Sequence, residues 1–416
     1  MSLFEDDRAD TTEGNAIDGD QPSIWQHPSR EDGIYFNLPE AEYHALARLS
    51  ASGIKNILIS LPTFWAKSWM NPEVADSDDE DTKAQILGRA YHAAIFEPET
   101  LADRYAGEPD LNEFQGMLMT DTAVKAELKK YGAPQTIAGE LAVDRARRLE
   151  GMGFAKPIKS LIMAEFEEAL GDRQPIASKY WQQIMRDLER IKANPEIHDL
   201  VSGGASEVTI LWTCPDTGIP MKARIDKLKP DCFVDLKSFA NANGKPVNQA
   251  IADQVQYYRY YLSMRVYQVA ISMIRKLNLS IMDAPTDDDL QNDEAFPPKW
   301  QVDLRMALHH KELPHQPWLF FQEKGGIPNL LARRLRLQVY PAGVDVQSIG
   351  AEDHNIREHD SALARKADLE IARAKQLFGQ AMDIYGDDGT PWFPLDMIGE
   401  IGDEDFRDWF LDSVPA

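Results

Sequence analysis

The chain has 416 residues and a formal charge of −24, from 44 Lys and Arg against 68 Asp and Glu. Its 43% hydrophobic content excludes a wholly disordered protein, and no apolar run approaches the roughly 18–20 residues of a membrane span. Two cysteines exclude a disulfide framework and a four-cysteine zinc or iron–sulfur site. Because the first 20 residues are acidic and lack the basic and apolar regions of a signal peptide, we expect a cytoplasmic location without membrane attachment.

The negative charge is concentrated in four stretches of the chain. Residues 1–32, 71–82, 283–295 and 383–416 together carry a net charge of −28, so the remaining chain carries +4. Acidity confined to tails and loops leaves the body able to bind a polyanion such as nucleic acid. We expect the first of these stretches to be an acidic, disordered leader.

The region after the leader shows helical patterns. Ser50 or Ser52 is predicted to cap a short helix that ends near Pro62. The acidic segment 71–82 is predicted to be a loop. The sequence KAQILGRAYHAAIFEP then predicts a helix that is stopped by Pro98.

Residues 100–200 show apolar spacing typical of helices. Basic residues recur there, and two interpretations stay open for them: solvated helix faces or one wall of a DNA groove. They are Lys125, Lys129, Lys130, Arg145, Arg147 and Arg148.

The periodicity then changes to that of strands. Segments 207–213, 221–228 and 233–238 are predicted to form three strands joined by the turns PDTG and KPD. A long helix is predicted over about 247–276. Two further strands, WLFFQEK and LLARRLRLQVY, precede a helix around 360–384 and an acidic, aromatic tail.

Charged residues on the second and third strands form the most informative pattern. Strand side chains repeat every two residues, so Asp235 and Lys237 share one face, and Asp226 can meet Asp235 if the two strands are neighbours. Two carboxylates, a carbonyl and waters are ligands that Mg²⁺ or Mn²⁺ takes. A lysine beside such a metal can orient the attacking water and stabilise charge on a phosphate. Glu207, on the preceding strand, is a further ligand or water-orienting candidate.

An Asp-x-Lys pair in a strand is usually a pair of exposed charges. Here VDLKS lies within an apolar strand and follows RID on the earlier one. Burying three charged groups is costly unless they pair or bind a metal. The pattern therefore favours a site.

The order Glu207, Asp226 and Asp235-Leu236-Lys237 resembles the core of the PD-(D/E)XK nucleases. In that family the acidic residues hold a divalent metal and the lysine acts on the attacking water.

The helix that follows resembles the Gln-x-x-x-Tyr motif of the RecB-like branch, which lies beside the metal site and touches DNA. Gln254 and Tyr258 have this spacing and share a helix face. Gln256 and Tyr260 have the same spacing and remain an alternative. The first pair is preferred because Val255 and Leu262 better fit the apolar positions of that motif.

Segments further upstream and downstream extend the likeness. GRAYHAAIFEP resembles the Gly-x-x-x-His-x-x-x-x-Glu-Pro segment of exodeoxyribonuclease VIII (RecE) and of phage exonucleases, in which the histidine approaches the metal. This implies a ligand role for His92. LSASGIKNILISLPTFWA and WLFFQEKGGIPNLLARRL also resemble segments of these exonucleases, so the likeness covers roughly residues 41–340.

The resemblance implies an α/β fold, the restriction-endonuclease-like PD-(D/E)XK core with a mixed central sheet flanked by helices. The nuclease domain is expected over 33–345, with a large helical insert at about 100–200. It would follow the leader 1–32 and precede a C-terminal helix and acidic aromatic tail over 346–416.

The activity that the resemblance implies is a Mg²⁺-dependent exonuclease, with Mn²⁺ able to substitute, that hydrolyses phosphodiester bonds from double-stranded DNA ends 5′ to 3′. The expected partners are a single-strand annealing recombinase in phage or prophage recombination and further copies of the chain in a homo-oligomer. The expected residues are His92, Asp226, Asp235 and the Leu236 carbonyl for the metal; Glu207, Asp226, Asp235 and Lys237 for catalysis; and Gln254 and Tyr258 for DNA.

Three other interpretations stay open. The same fold can serve an endonuclease or a host-defence nuclease. A non-catalytic DNA- or protein-binding module is the second, although degenerate members usually lose the three charged residues that are intact here. In the third, the acidic and aromatic GDEDFRDWFLDSV docks in a basic groove of a partner; it can equally be a short helix that packs on the body.

Overall fold

The computed structural model describes residues 30–36, 38–75, 82–241, 243–283, 304, 308, 316–323, 330–337 and 361–395. The predicted leader up to residue 29 and the predicted tail beyond residue 395 lie outside these residues. Within them, no helix combines the length and the apolar character needed to cross a membrane.

A mixed sheet forms the centre of the molecule. Its strands are β1 (Gly33–Tyr35), β4 (Ala205–Thr213), β5 (Pro220–Leu228), β6 (Cys232–Phe239), β7 (Gln316–Glu323) and β8 (Leu330–Arg334). They lie side by side in the order β1-β4-β5-β6-β7-β8. Among these six strands only β6 and β7 run parallel; the other neighbours are antiparallel pairs. A parallel pair requires a crossover connection, and the helices that follow β6 begin that crossover.

Helices cover both faces of the sheet, and further helices pack against one another between residues 121 and 170. In chain order they are α1 (Glu40–Ala45), α2 (Ala51–Ile57), α3 (Leu61–Ala66), α4 (Pro72–Ala75), α5 (Lys83–Phe96), α6 (Leu101–Arg104), α7 (Asp121–Lys130), α8 (Ala142–Gly151), α9 (Lys159–Leu170), α10 (Ser178–Ala193), α11 (Pro195–Val201), α12 (Val247–Tyr257), α13 (Tyr260–Lys276) and α14 (Ala362–Tyr385).

The two faces of the sheet have separate cores. On one face, α2, α3, α13 and α14 share a buried cluster that includes Phe64, Phe233, Leu262 and Phe378. On the other face, α5 and α10 pack over Val234, Leu236 and Phe320. Odd- and even-numbered residues of β6 thus enter different cores, as the two-residue repeat of a strand requires.

Most of the segment predicted as a helical insert is helical, and part of it has a core of its own. α7, α8 and α9 surround a small buried cluster that includes Leu128 and Leu149. The insert also contains two short parallel strands that the sequence pattern did not predict, β2 (Tyr105–Gly107) and β3 (Gln174–Ile176).

The basic residues of α7 and α8 mostly pair within the insert. Arg145 and Lys125 contact Asp121, Arg148 contacts Glu140, and Lys130 contacts Glu127. This favours solvated helix faces over a DNA-groove wall for these residues.

Three local predictions differ from the structure. The segment 71–82 contains the short helix α4 at its start. The helix expected over 247–276 is interrupted, because Arg259 has a left-handed φ of 51° between α12 and α13. The three-residue strand β1, paired with β4 from far along the chain, was not predicted at all.

A buried lysine fixes the α1 segment to the sheet. Lys222 of β5 is 4% exposed, and its ammonium donates to the carbonyl oxygens of Tyr43, His44 and Leu46 at 2.8, 3.2 and 2.9 Å. The three N–H groups of one ammonium thereby donate to three carbonyls at and after the end of α1, where the helix provides no further N–H donors.

We expect Lys222→Met to lower the free energy of unfolding by about 2–4 kcal/mol, because the carbonyls would remain buried without a donor. Urea unfolding measures this. Lys192→Met, which changes an exposed lysine of α10, should stay within about 0.5 kcal/mol of wild type. Equal unfolding midpoints for the two variants would contradict this account of Lys222.

Candidate metal centre and active site

The site lies where β5 and β6 stop pairing. Their ladder contains the pairs Leu228↔Phe233 and Lys227↔Val234, and the next residues in register are Asp226 and Asp235. Instead of a further ladder bond, the backbone N–H of Leu236 donates to Asp226 Oδ2 at 2.9 Å. The strands therefore separate at two opposed carboxylates, and the Asp226 side chain takes the place of a backbone acceptor.

Glu207 enters the site through an unusual backbone conformation. Its φ is 54°, in the left-handed region that costs a non-glycine residue about 1–3 kcal/mol. Successive strand residues normally point to opposite faces, yet Ser206 donates to the Phe96 carbonyl of α5 and Glu207 faces His92 of the same helix. The left-handed residue thus brings two consecutive side chains to the α5 face.

Three side chains from α5, β4 and β5 converge there. Glu207 Oε1 lies 3.7 Å from His92 Nδ1, and Asp226 Oδ2 lies 3.7 Å from His92 Nε2. One ligand atom of each residue lies within 4.8 Å of the others, a spacing that can hold a metal ion. Arg224 holds the other Glu207 oxygen, donating from Nε to Oε2 at 2.5 Å.

Asp235 and Lys237 complete the centre from β6. They share a face, as predicted, and the Lys237 ammonium contacts Asp235 Oδ2. Asp235 is 1% exposed, and its Oδ1 accepts no hydrogen bond from the described residues. The Lys237 ammonium also contacts the Leu236 carbonyl at 3.2 Å and lies 5.4 Å from the centre of the Tyr260 ring.

The charges in this cluster shift one another's protonation. Burial, reinforced by the negative charge of Asp235, raises the pKa of Asp226 to about 7. Burial lowers the pKa of Lys237, but the charges of Asp235 and Asp226 outweigh it and raise that pKa. Burial likewise lowers the pKa of His92, and Asp226 and Glu207 reverse the effect, so the net shift is upward. Lys237 is therefore an ammonium at neutral pH and cannot accept a proton.

The residues fit a divalent cation. The raised pKa of Asp226 beside the negative charge of Asp235 shows that this place favours added positive charge. The buried Asp235 Oδ1, which accepts no hydrogen bond from the described residues, is a further oxygen that a cation can bind. Carboxylate and carbonyl oxygens suit Mg²⁺ and Mn²⁺.

A family model described as a PDDEXK-like domain of unknown function (DUF3799) matches residues 50–282, more than half of the chain. The chain belongs to this family. The matched span includes every predicted site residue, and membership supports a nuclease. The predicted PD-(D/E)XK superfamily and α/β fold are confirmed, whereas the closer likeness to exodeoxyribonuclease VIII stays a prediction.

The other comparisons add little to the DUF3799 match. A search of the curated proteins found no match. Among solved structures, the crystal structure of a protein described as a "Putative exonuclease" from Eubacterium rectale is similar at 12% identity, with a TM-score of 0.38, over 87% of this chain and 91% of that one.

The two predicted Gln-x-x-x-Tyr pairs occupy different places in this DUF3799 domain. Tyr260 begins α13 and lies against Lys237. Tyr258, the residue that directly follows α12, is 48% exposed and stacks on Tyr260 with 5.5 Å between ring centres. Gln256 lines a separate apolar groove with Ile251 and Val255. A DNA role for either pair stays a prediction.

Two residues beside the centre were overlooked in the sequence. Arg224 lies two residues before Asp226, so strand alternation alone could have placed it on the same face. Lys55 of α2 has its ammonium 5.6 Å from the centre of the Tyr260 ring. Burial and the charge of Lys237 lower the pKa of Lys55 to about 8.

The raised pKa of Asp226 predicts how pH affects stability. In the folded, metal-free protein the Asp226 carboxyl is protonated below about pH 7. In the unfolded chain it stays ionised until the pH falls to about 3.9, so between these values the folded state binds more protons than the unfolded state. The free energy of unfolding of wild type, relative to Asp226→Asn, should therefore rise as pH falls from about 7 to 5, by up to about 1.4 kcal/mol per pH unit. Urea unfolding in EDTA measures this difference, and a flat difference from pH 5 to 8 would contradict it.

Proposed function

We propose that this protein is a divalent-metal-dependent deoxyribonuclease that acts as an exonuclease on double-stranded DNA ends. One observation carries the proposal. The opposed carboxylates of Asp226 and Asp235 lie where two strands separate, with the Lys237 ammonium beside them, in a chain of a PDDEXK-like family. Burial and the negative charge of Asp235 raise the pKa of Asp226 despite its cationic neighbours, so the cluster favours a further cation.

The proposed metal ligands are the carboxylates of Asp226 and Asp235 and the Leu236 carbonyl, with His92 at the α5 side. Mg²⁺ is the proposed ion and Mn²⁺ its substitute. When bound, the ion supplies Lewis-acid stabilisation of the phosphate and of the leaving oxygen.

The protein's own groups position the reactants. Lys237 keeps its proton at neutral pH, so it donates hydrogen bonds that orient the attacking water and stabilise the charge developing on the phosphate. Glu207 keeps one oxygen towards His92 because Arg224 holds the other, and we assign it the orientation of that histidine or of water. Gln254 and Tyr258, with Tyr260 beside Lys237, are proposed to hold the strand that is cut.

The finer features of the proposal rest on the motif resemblance. They are 5′ to 3′ digestion, a role in phage-type recombination with a single-strand annealing recombinase, assembly into a homo-oligomer, and action in the cytoplasm of a bacterial or phage-infected cell. The ordered motifs from GRAYHAAIFEP to WLFFQEK support these features.

Purified protein with Mg²⁺ should release nucleotides from end-labelled linear duplex DNA. Asp226→Asn and Lys237→Met should each lower the rate by at least about 100-fold, because the first removes a metal ligand and the second removes the ammonium that acts on the water and the phosphate. Asp231→Asn and Lys245→Met change exposed residues of the same types and should keep wild-type rates. Equal rates for site and control variants would place the chemistry elsewhere, and no cutting by wild type with Mg²⁺ or Mn²⁺ would favour a binding module.

The shape of the DNA substrate separates an exonuclease from an endonuclease. We expect linear duplex to be degraded and closed circular duplex to remain intact, since the proposed enzyme starts at an end. A 5′ label should be released before a 3′ label. Linearisation of the circle would keep the nuclease and replace the exonuclease with an endonuclease.

A further inference from the structure

A basic cavity adjoins the metal centre. It has a volume of about 950 Å³ and shares His92 and Lys237 with the centre. Its other walls come from α5, from β6, from the start of α13 and from α10, a helix of the insert. Among the described residues that line it there are four cations and no carboxylate: Lys83, Lys179, Arg186 and Lys237.

The cations that α10 directs into this cavity differ from other cations of the insert. Lys179 and Arg186 are exposed and form no ion pair with the described residues. On the same helix Arg190 and Lys192 do pair, with Asp187 and Glu189 respectively. Unneutralised positive charge is therefore concentrated where the helix faces the cavity, which favours a polyanionic ligand.

Aromatic rings lie among these cations. Tyr180, next to Lys179, is 37% exposed, and the Lys179 ammonium lies 4.5 Å from its ring centre. Tyr260 lines the opposite part of the cavity beneath Lys237. Cations that follow a backbone, combined with rings on which bases stack, are the means by which proteins bind single-stranded nucleic acid.

The size of the cavity limits what can enter it. Its volume lies within the about 300–1,000 Å³ of pockets for drug-sized ligands, so it has room for a short stretch of one strand. A double helix, whose major groove alone is about 12 Å wide, does not fit.

We propose that this cavity binds a single strand of DNA and leads it to the metal centre, with Lys179 and Arg186 on the phosphates and Tyr180 stacked on a base. This rests on the proposed function, because the bound strand is the one that is cut. The insert thereby supplies a wall of the substrate site through α10, and its basic helices α7 and α8 take no part. A duplex end must then open before its strand reaches the centre.

The test uses the full chain and a fluorescent oligothymidylate, with binding followed by anisotropy in EDTA. Lys179→Gln combined with Arg186→Gln should weaken binding and reduce the slope of log affinity against log salt by about 1.4, since each lost phosphate contact removes about 0.7. Tyr180→Ala should weaken binding about 5- to 150-fold, the loss of one base–ring stack. Lys129→Gln combined with Arg147→Gln makes the same charge change on α7 and α8 and should stay within about twofold of wild type.

Kinetics with Mg²⁺ on linear duplex separate this inference from the nuclease itself. The α10 variants should raise KM and leave kcat within about threefold of wild type. If wild type cuts DNA but the α10 and control variants bind alike, the strand site is overturned and the nuclease stands. If the α10 variants lose binding to closed circular duplex as strongly as to the oligonucleotide, the single-strand assignment is overturned. If wild type binds the strand through α10 but does not cut, the binding site stands and the nuclease fails.

Discussion

The mutual repulsion of Asp226 and Asp235 is the interaction on which the rest of the site depends. The two carboxylates meet at the position where β5 and β6 leave their ladder. Asp235 is buried and Asp226 is 13% exposed, so little water screens their charges. The neighbouring groups partly neutralise this negative charge or donate hydrogen bonds to it. The Lys237 ammonium contacts one acid, the Leu236 N–H donates to the other, and His92 lies within ion-pair distance. The residual charge is what makes the place suitable for a cation.

The same constraint explains why the site needs an irregular sheet. A regular ladder would place Glu207 away from α5 and would consume the N–H of Leu236 in a backbone bond. The left-handed conformation of Glu207 lowers local stability and brings its carboxylate to the centre. The opening of the β5–β6 pair also lowers local stability, and it frees the Leu236 N–H to donate to Asp226. Their costs are offset by the two apolar cores that fix α5 and α13 on opposite faces of the sheet.

Strong periodicities made part of this arrangement predictable from the sequence. The strand alternation in β6 predicted that Asp235 and Lys237 share one face. The helical pattern of α5 predicted that His92 lies on a helix. The departures from periodicity were not predictable. Nothing near Glu207 signals a positive φ, and YYRYY contains no glycine or proline to mark the break at Arg259. After the break Tyr260 lies against Lys237, a contact between distant parts of the chain that no local pattern marks. For the same reason the sequence could not choose between the two tyrosines.

The site is assembled from segments that lie far apart along the chain: α5 before the insert, β4 to β6 after it, and the start of α13 beyond them. Contacts between distant segments form late in folding, because the conformational entropy of a long loop is lost before the contacts can stabilise the closed loop. During synthesis α5 leaves the ribosome well before β6, so His92 has no acidic partners until the whole insert has been made. We therefore expect a nascent chain to lack the complete site until translation has passed α13, so the charged residues meet only when the surrounding fold can form.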